Sequence, residues 1–121
     1  MSERTIMVID DSRVSRMMTQ AIIEELEPDW IVLEAGSADE ALQAVVESHV
    51  DYFSVDLNMP GMNGLELITQ LRAHYPQAKY TLLTANGQKS IESRASALGV
   101  ACIQKPVTDA SVTALLRTFT G

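Results

Sequence analysis

Five residues of this chain could do chemistry together: the adjacent carboxylates Asp10 and Asp11, a third carboxylate at Asp56, the hydroxyl of Thr84 and the ammonium of Lys105. Carboxylates brought close together repel, and a hard divalent cation is the usual remedy. Mg²⁺ prefers oxygen ligands, keeps several waters, and takes one or two carboxylates together with phosphate oxygens. A lysine and a threonine facing such a cation suit a phosphoryl group, whose charge is spread over its oxygens. An aspartate can also be a nucleophile and form an acyl phosphate. Taken singly, each residue has a plainer reading. An aspartate at a strand end commonly caps the next helix, so Asp11 or Ser12 could be only the N-cap of the first helix. Thr84 could serve a turn, and Lys105 could be a solvated loop charge. Those readings leave unexplained why complementary polar groups follow four of five short apolar runs.

The elements that must position these residues alternate along the chain. Residues 5–9 form an apolar run that reads as a buried strand ending at Asp10-Asp11. Val14, Met17, Met18, Ala21 and Ile22 then recur at helical spacing, which predicts a helix with that stripe packed inward, stopped by Pro28. Residues 31–35 read as a second strand. Ser37 and Glu40 have the spacing of a capping box, followed by a stripe of Ala38, Ala41, Leu42, Val45 and Val46. A third strand over residues 52–55 ends on Asp56, and a loop with Pro60, Gly61 and Asn63 leads into a third helix marked by Gly64, Leu67, Ile68 and Leu71. Residues 80–83 form a fourth strand ending at Thr84. A thinner stripe of Ile91, Ala95 and Leu98 closes at Gly99. A fifth strand over 101–103 precedes Lys105-Pro106, and Thr108 caps a fifth helix built on Val112, Leu115, Leu116 and Phe119.

Five strand–helix units in a row require parallel strands with long right-handed crossovers. Helices then cover both faces of a doubly wound α/β sheet, and the functional crevice lies at the carboxyl ends of the strands. That rule gathers the five residues at one edge. His49 and His74 fall near helix ends and read as surface positions, while Trp30 and the methionines read as packing residues.

Composition narrows the function further. The 121 residues make one domain, with 46% hydrophobic and 21% charged residues, so the chain is neither disordered nor membrane-spanning in character. A single cysteine, Cys102, permits no internal disulfide and no zinc cluster, which favours a reducing compartment, the cytoplasm. The net charge of −7 argues against non-specific nucleic-acid binding. Charge is also uneven: residues 1–66 hold 14 acidic side chains against 3 basic ones, and residues 67–121 hold 2 against 6.

The motifs Ile-Asp-Asp-Ser (9–12), Val-Asp-Leu-Asn-Met-Pro-Gly-Met-Asn-Gly (55–64), Leu-Thr-Ala (83–85) and Lys-Pro (105–106) resemble the receiver domain of two-component response regulators, in the expected order over essentially the whole chain. The resemblance implies a five-stranded parallel sheet of order 2-1-3-4-5 with five helices. It implies that Asp56 is the phosphoacceptor, served by a histidine kinase or a histidine phosphotransfer protein. Asp11 and Asp56 would ligate Mg²⁺ directly, Asp10 through water, and Asn58 through its backbone carbonyl. Lys105 and Thr84 would hold phosphoryl oxygens, and the Lys105–Pro106 bond would be cis.

A single receiver over residues 1–121 without an effector domain resembles the CheY-like regulators, which are phosphoacceptor signalling proteins rather than enzymes acting on other substrates. Their output is binding to a protein target, expected here on the face of helix four, strand five and helix five, around Lys89, Arg94 and Arg117. No nucleic acid or membrane partner is expected, and the chain would be a monomer or weak dimer. One position departs from the family: Cys102 stands where receivers carry Tyr or Phe three residues before the lysine, so any signal must pass through Thr84 and the loop to Ile91, including Asn86-Gly87.

Three other readings compete. A phosphatase of the haloacid dehalogenase kind expects its nucleophile after the first strand in an Asp-x-Asp arrangement, whereas here the paired acids are adjacent. A flavodoxin-like carrier needs a donor-rich phosphate loop after strand one, where Asp10-Asp11 would repel the ligand. A receiver-shaped module that is never phosphorylated would have no use for all five signature residues.

Overall fold

The structure is a computed structural model and describes residues 3–85 and 89–121. Five strands and five helices alternate: β1 (Thr5–Ile9), α1 (Arg13–Leu26), β2 (Ile31–Ala35), α2 (Ala38–Ala44), β3 (Tyr52–Asp56), α3 (Gly64–His74), β4 (Lys79–Thr84), α4 (Lys89–Ala97), β5 (Ala101–Gln104) and α5 (Asp109–Thr120). All neighbouring strands pair in parallel, in the order β2-β1-β3-β4-β5. The chain reverses direction across the sheet between β1 and β3, which sit side by side at the centre. Among the described residues, no helix is long and apolar enough to cross a membrane.

Alternation along the strands builds two cores. Ile6 and Val8 of β1 and Tyr52 of β3 pack under α1 and α5, against Ile23, Val112, Leu115, Leu116 and Phe119. Met7, Ile9, Phe53, Val55 and Leu82 pack on the opposite face, against Ala41, Leu67, Ile68, Leu71 and Ala95 of α2, α3 and α4. Each central strand is therefore buried on both sides, which explains its unbroken apolar run. Trp30, Tyr52 and Phe119 stack in series at the amino end of the sheet, with ring centroids 5.1 and 4.7 Å apart. Lys79 donates from Nζ to the Phe119 carbonyl at 2.8 Å and so ties the end of α5 to β4.

The stripes expected for α3 and α5 are buried as expected. That of α1 is not. Val14 and Met17 are 66% and 56% exposed, and Met18 and Ala21 also face solvent; only Ile22 of the expected stripe packs against the core. The buried side of α1 carries Thr19 and Ile23 instead. Met17 and Met18 are thus surface residues, while Trp30, Met7 and Met59 do pack inside. Helix α2 stops at Ala44, earlier than its apolar spacing suggests, and Val46 is exposed. Leu98 likewise lies beyond α4 and is partly exposed.

Caps differ in one detail. Ser37 accepts from the Glu40 amide, but the Glu40 carboxylate accepts from Gly36 rather than from Ser37, so the expected reciprocal box is shifted by one residue. Gly99 has φ +71°, a left-handed conformation that ends α4. Asn86 and Gly87 lie outside the described residues.

Candidate active site at the carboxyl end of the sheet

Strands β1 and β3 end together and bring Asp10, Asp11 and Asp56 to one edge, with one carboxylate oxygen from each lying within 4.8 Å of the others. Asp10 is fully buried and Asp56 is 3% exposed, whereas Asp11 opens to solvent. Ser12, not Asp11, is the N-cap of α1: its hydroxyl accepts from the Ser15 amide. The Asp11 carboxylate is thereby left to face its two neighbours.

Asp10 is held from several sides. Its Oδ1 accepts from the Ser12 amide at 2.9 Å, and its own amide donates to the Ala35 carbonyl at 3.1 Å. Its Oδ2 lies 3.0 Å from the Lys105 ammonium. Lys105 also stands 3.5 Å from Asp56 Oδ1. It reaches the site from the end of β5, where its amide donates to the Thr84 carbonyl at 2.9 Å and the bond to Pro106 is cis.

Thr84, 1% exposed, closes β4 beside these groups. Asn58 lies exposed in the loop after β3. That loop folds back tightly: the Gly64 amide donates to the Leu57 carbonyl at 2.9 Å, and a Cβ on Gly64 would come within 2.5 Å of the Asp56 carbonyl oxygen. Gly64 is therefore a glycine because the backbone that carries Asp56 passes against it. The Asn63 side chain and Glu66 cap α3 reciprocally just beyond.

The electrostatics follow from crowding. Burial and then the charge of Asp10 push the Asp56 carboxyl up to about 7, against the pull of Lys105, and Asp11 adds to the rise. Burial works against the Lys105 charge, but Asp10 and Asp56 outweigh it and raise its pKa. One ammonium thus faces three carboxyls, an arrangement short of positive charge. A hard cation fits that deficit: three carboxylates converge and every donor is an oxygen.

Sequence reasoning found these five residues through their places at strand ends. It missed Arg16, whose guanidinium donates to the Asp10 carbonyl at 2.8 Å and to Glu34 Oε1 at 2.9 Å. No periodicity marks that residue, because its partners come from two strands. His49 is exposed and pairs with Asp51, far from the carboxylates, and His74 is exposed at the end of α3. Cys102, on β5, packs partly buried against the core under α2, α3 and α4. Burial and then nearby Glu92 push its thiol up, away from the reactive thiolate form.

Comparison with known proteins gives a consistent result. The family model described as response regulator receiver domain matches residues 6–117. The chemotaxis protein CheY of Listeria monocytogenes is 31% identical over 86 residues, covering 71% of both chains. The cyclic di-GMP phosphodiesterase response regulator RpfG of Xanthomonas campestris is 32% identical over 97 residues, 78% of this chain but 26% of that one. Among solved structures, Vibrio cholerae chemotaxis protein CheY4 superposes with a TM-score of 0.88 at 22% identity, covering 98% of this chain and 99% of that one.

Proposed function

Because this chain belongs to the response regulator receiver family, we propose that it is a receiver which accepts a phosphoryl group on Asp56 from a phosphohistidine, in an Mg²⁺-dependent reaction, and signals by binding another protein when phosphorylated. Receivers are signalling proteins that work with histidine kinases or phosphotransfer proteins, and this reading assigns the chain such a donor. The observation that carries it is the buried Asp56 carboxyl, set against two further carboxylates and one lysine.

Each residue has a part in the transfer. An Asp56 oxygen attacks phosphorus, the P–N bond to the donor imidazole breaks as the new P–O bond forms, and the imidazole leaves. Asp10, Asp11, Asp56 and the Asn58 carbonyl would hold Mg²⁺, which supplies charge neutralisation for the incoming phosphoryl oxygens. Lys105, already poised between Asp10 and Asp56, would pair with a phosphoryl oxygen once Asp56 is esterified. Thr84, at the end of β4, would donate its hydroxyl to another.

The outward apolar stripe of α1 (Val14, Met17, Met18 and Ala21) begins three residues from Asp11, so a donor protein seated there reaches Asp56 without crossing the domain. Lys89, Arg94 and Arg117 are exposed on α4 and α5, which flank β5, and offer a basic output face. The reading places the protein in the cytoplasm as a monomer or weak dimer, with no nucleic-acid partner for an acidic chain. With Cys102 in place of a ring, the output relies on Thr84 and the segment after it.

Incubation with Mg²⁺ and acetyl phosphate is expected to add one acid-stable, base-labile phosphoryl group, and Asp56→Asn to accept none. Labelling undiminished in that variant would overturn the assignment. Asp11→Ala is expected to lose Mg²⁺ affinity and labelling together.

A further inference from the structure

The Arg16 side chain is only 17% exposed, although its ion-pair partner Glu34 is 43% exposed. A half-exposed pair of this kind contributes little, too little to account for burying a guanidinium. The second bond of Arg16 is the informative one. Its Nη1 donates to the Asp10 carbonyl oxygen at 2.8 Å, at the peptide that joins the two adjacent acids. We infer that Arg16 is a positioning residue for the cation site: by fixing the Asp10–Asp11 peptide plane, it sets where the Asp11 carboxylate stands relative to Asp56.

Asp11 needs such help. Asp10 is locked through its amide, its carboxylate and its burial, while Asp11 is exposed and meets Asp56 with its side chain, so its placement depends on the backbone beneath it. A guanidinium can donate to a carbonyl and a carboxylate at once from a rigid fork, which an ammonium cannot reproduce. The surroundings are shaped to admit it. A Cβ on Gly36 would lie 3.0 Å from Arg16 Nη1 and 3.3 Å from Glu40 Oε2, so an added methyl would press directly on the guanidinium and on Glu40. Glu40 accepts from the Gly36 amide at 3.2 Å and fixes that turn. Arg16 thus joins the ends of β1 and β2 around one peptide of the site.

The inference rests on the cation reading given above, and the experiment separates the two. Mn²⁺ binding to the full chain, followed by the loss of its free electron paramagnetic resonance signal, reports the site without phosphorylation. Groups that orient metal ligands change affinity by about 10–100-fold when removed, and Arg16→Met is expected at the lower end, about 10-fold weaker. Arg16→Lys is expected to recover part of the loss. Gly36→Ala is expected to weaken binding although the arginine is retained, which also covers the case that Arg16→Met does not fold. Glu34→Gln, which leaves the carbonyl bond intact, is expected to stay within twofold of wild type. Wild-type affinity in both Arg16→Met and Gly36→Ala, or a loss in Glu34→Gln as large as in Arg16→Met, would overturn the role while leaving the cation site standing. Wild-type protein that binds no Mn²⁺ would overturn the cation reading and this inference with it.

Discussion

Strand β3 has an aspartate at each end, and the two live under opposite conditions. Asp51, just before the strand, accepts from the Thr5 amide at 2.9 Å and from His49 at 2.9 Å. Burial alone would raise its pKa, but these partners hold the carboxyl below its ordinary value. Asp56, five residues on, meets two like charges and one lysine, and its carboxyl is pushed up to about 7. The amino end of the sheet has its charge matched and its aromatic rings stacked. The carboxyl end is left under repulsion. The difference teaches where stability was given up: like charges gathered around one lysine cannot satisfy one another, which is what the proposed cation and phosphoryl site requires.

Four measurements would sharpen or break that contrast. The largest effect is expected from Phe119→Ala, which removes one ring of the Trp30–Tyr52–Phe119 stack and a fully buried side chain. It is expected to cost about 3–5 kcal/mol in urea unfolding while leaving cation affinity unchanged. A loss of cation binding at constant stability would mean that the two ends are not separable.

The second effect is a gain. Because the folded-state pKa of Asp56 is raised, its ionisation destabilises the fold. That penalty is absent below the unfolded value near 3.8 and complete once pH exceeds about 7. In chelator, wild-type protein is therefore expected to lose stability between pH 5 and pH 8, and Asp56→Asn to be the more stable of the two at pH 8. An Asp56→Asn variant no more stable than wild type at pH 8 would remove the claim of repulsion. Asp51 works with the opposite sign. Its depressed pKa supplies stability above about 3.8 that is lost as pH falls through the folded value. Asp51→Asn is expected to cost about 1 kcal/mol at pH 7, the scale of one hydrogen bond, and the cost is expected to shrink as pH falls below about 3.8.

The smallest effect concerns the output side. Cys102 fills the place on β5 with a small side chain, so little mass can move there. Amide exchange with and without beryllofluoride is expected to change around Thr84 and much less around Cys102 and α5. Protection changes centred on α5 would show that the small side chain does not limit the response.

The sequence disclosed the fold and the gathering of five polar groups at one edge because both follow from rules of period and place. Apolar runs bounded by turns fix the strands, and the carboxyl ends of parallel strands fix the crevice. Helices α3 and α5 obeyed their stripes because sheet covers the apolar side of each. Helix α1 carries apolar residues on two sides, and periodicity cannot say which one faces the core. Burial of Ile23 decides it, leaving Val14, Met17, Met18 and Ala21 outward. Arg16 was illegible for a different reason. Its meaning lies in a carbonyl and a glycine brought to it by tertiary structure, and neither leaves a trace in spacing.

Trp30, the sole tryptophan, has a practical consequence through its place in the aromatic stack. It precedes β2 at the amino end, and the five residues of a strand separate it from the carboxylates by about 15 Å. Its emission senses whether the aromatic stack is intact and is insulated from events at the opposite pole. Intrinsic fluorescence of this protein is thus a clean optical gauge of unfolding, and occupancy of the acidic pocket must be followed with a dye or nucleus placed there on purpose.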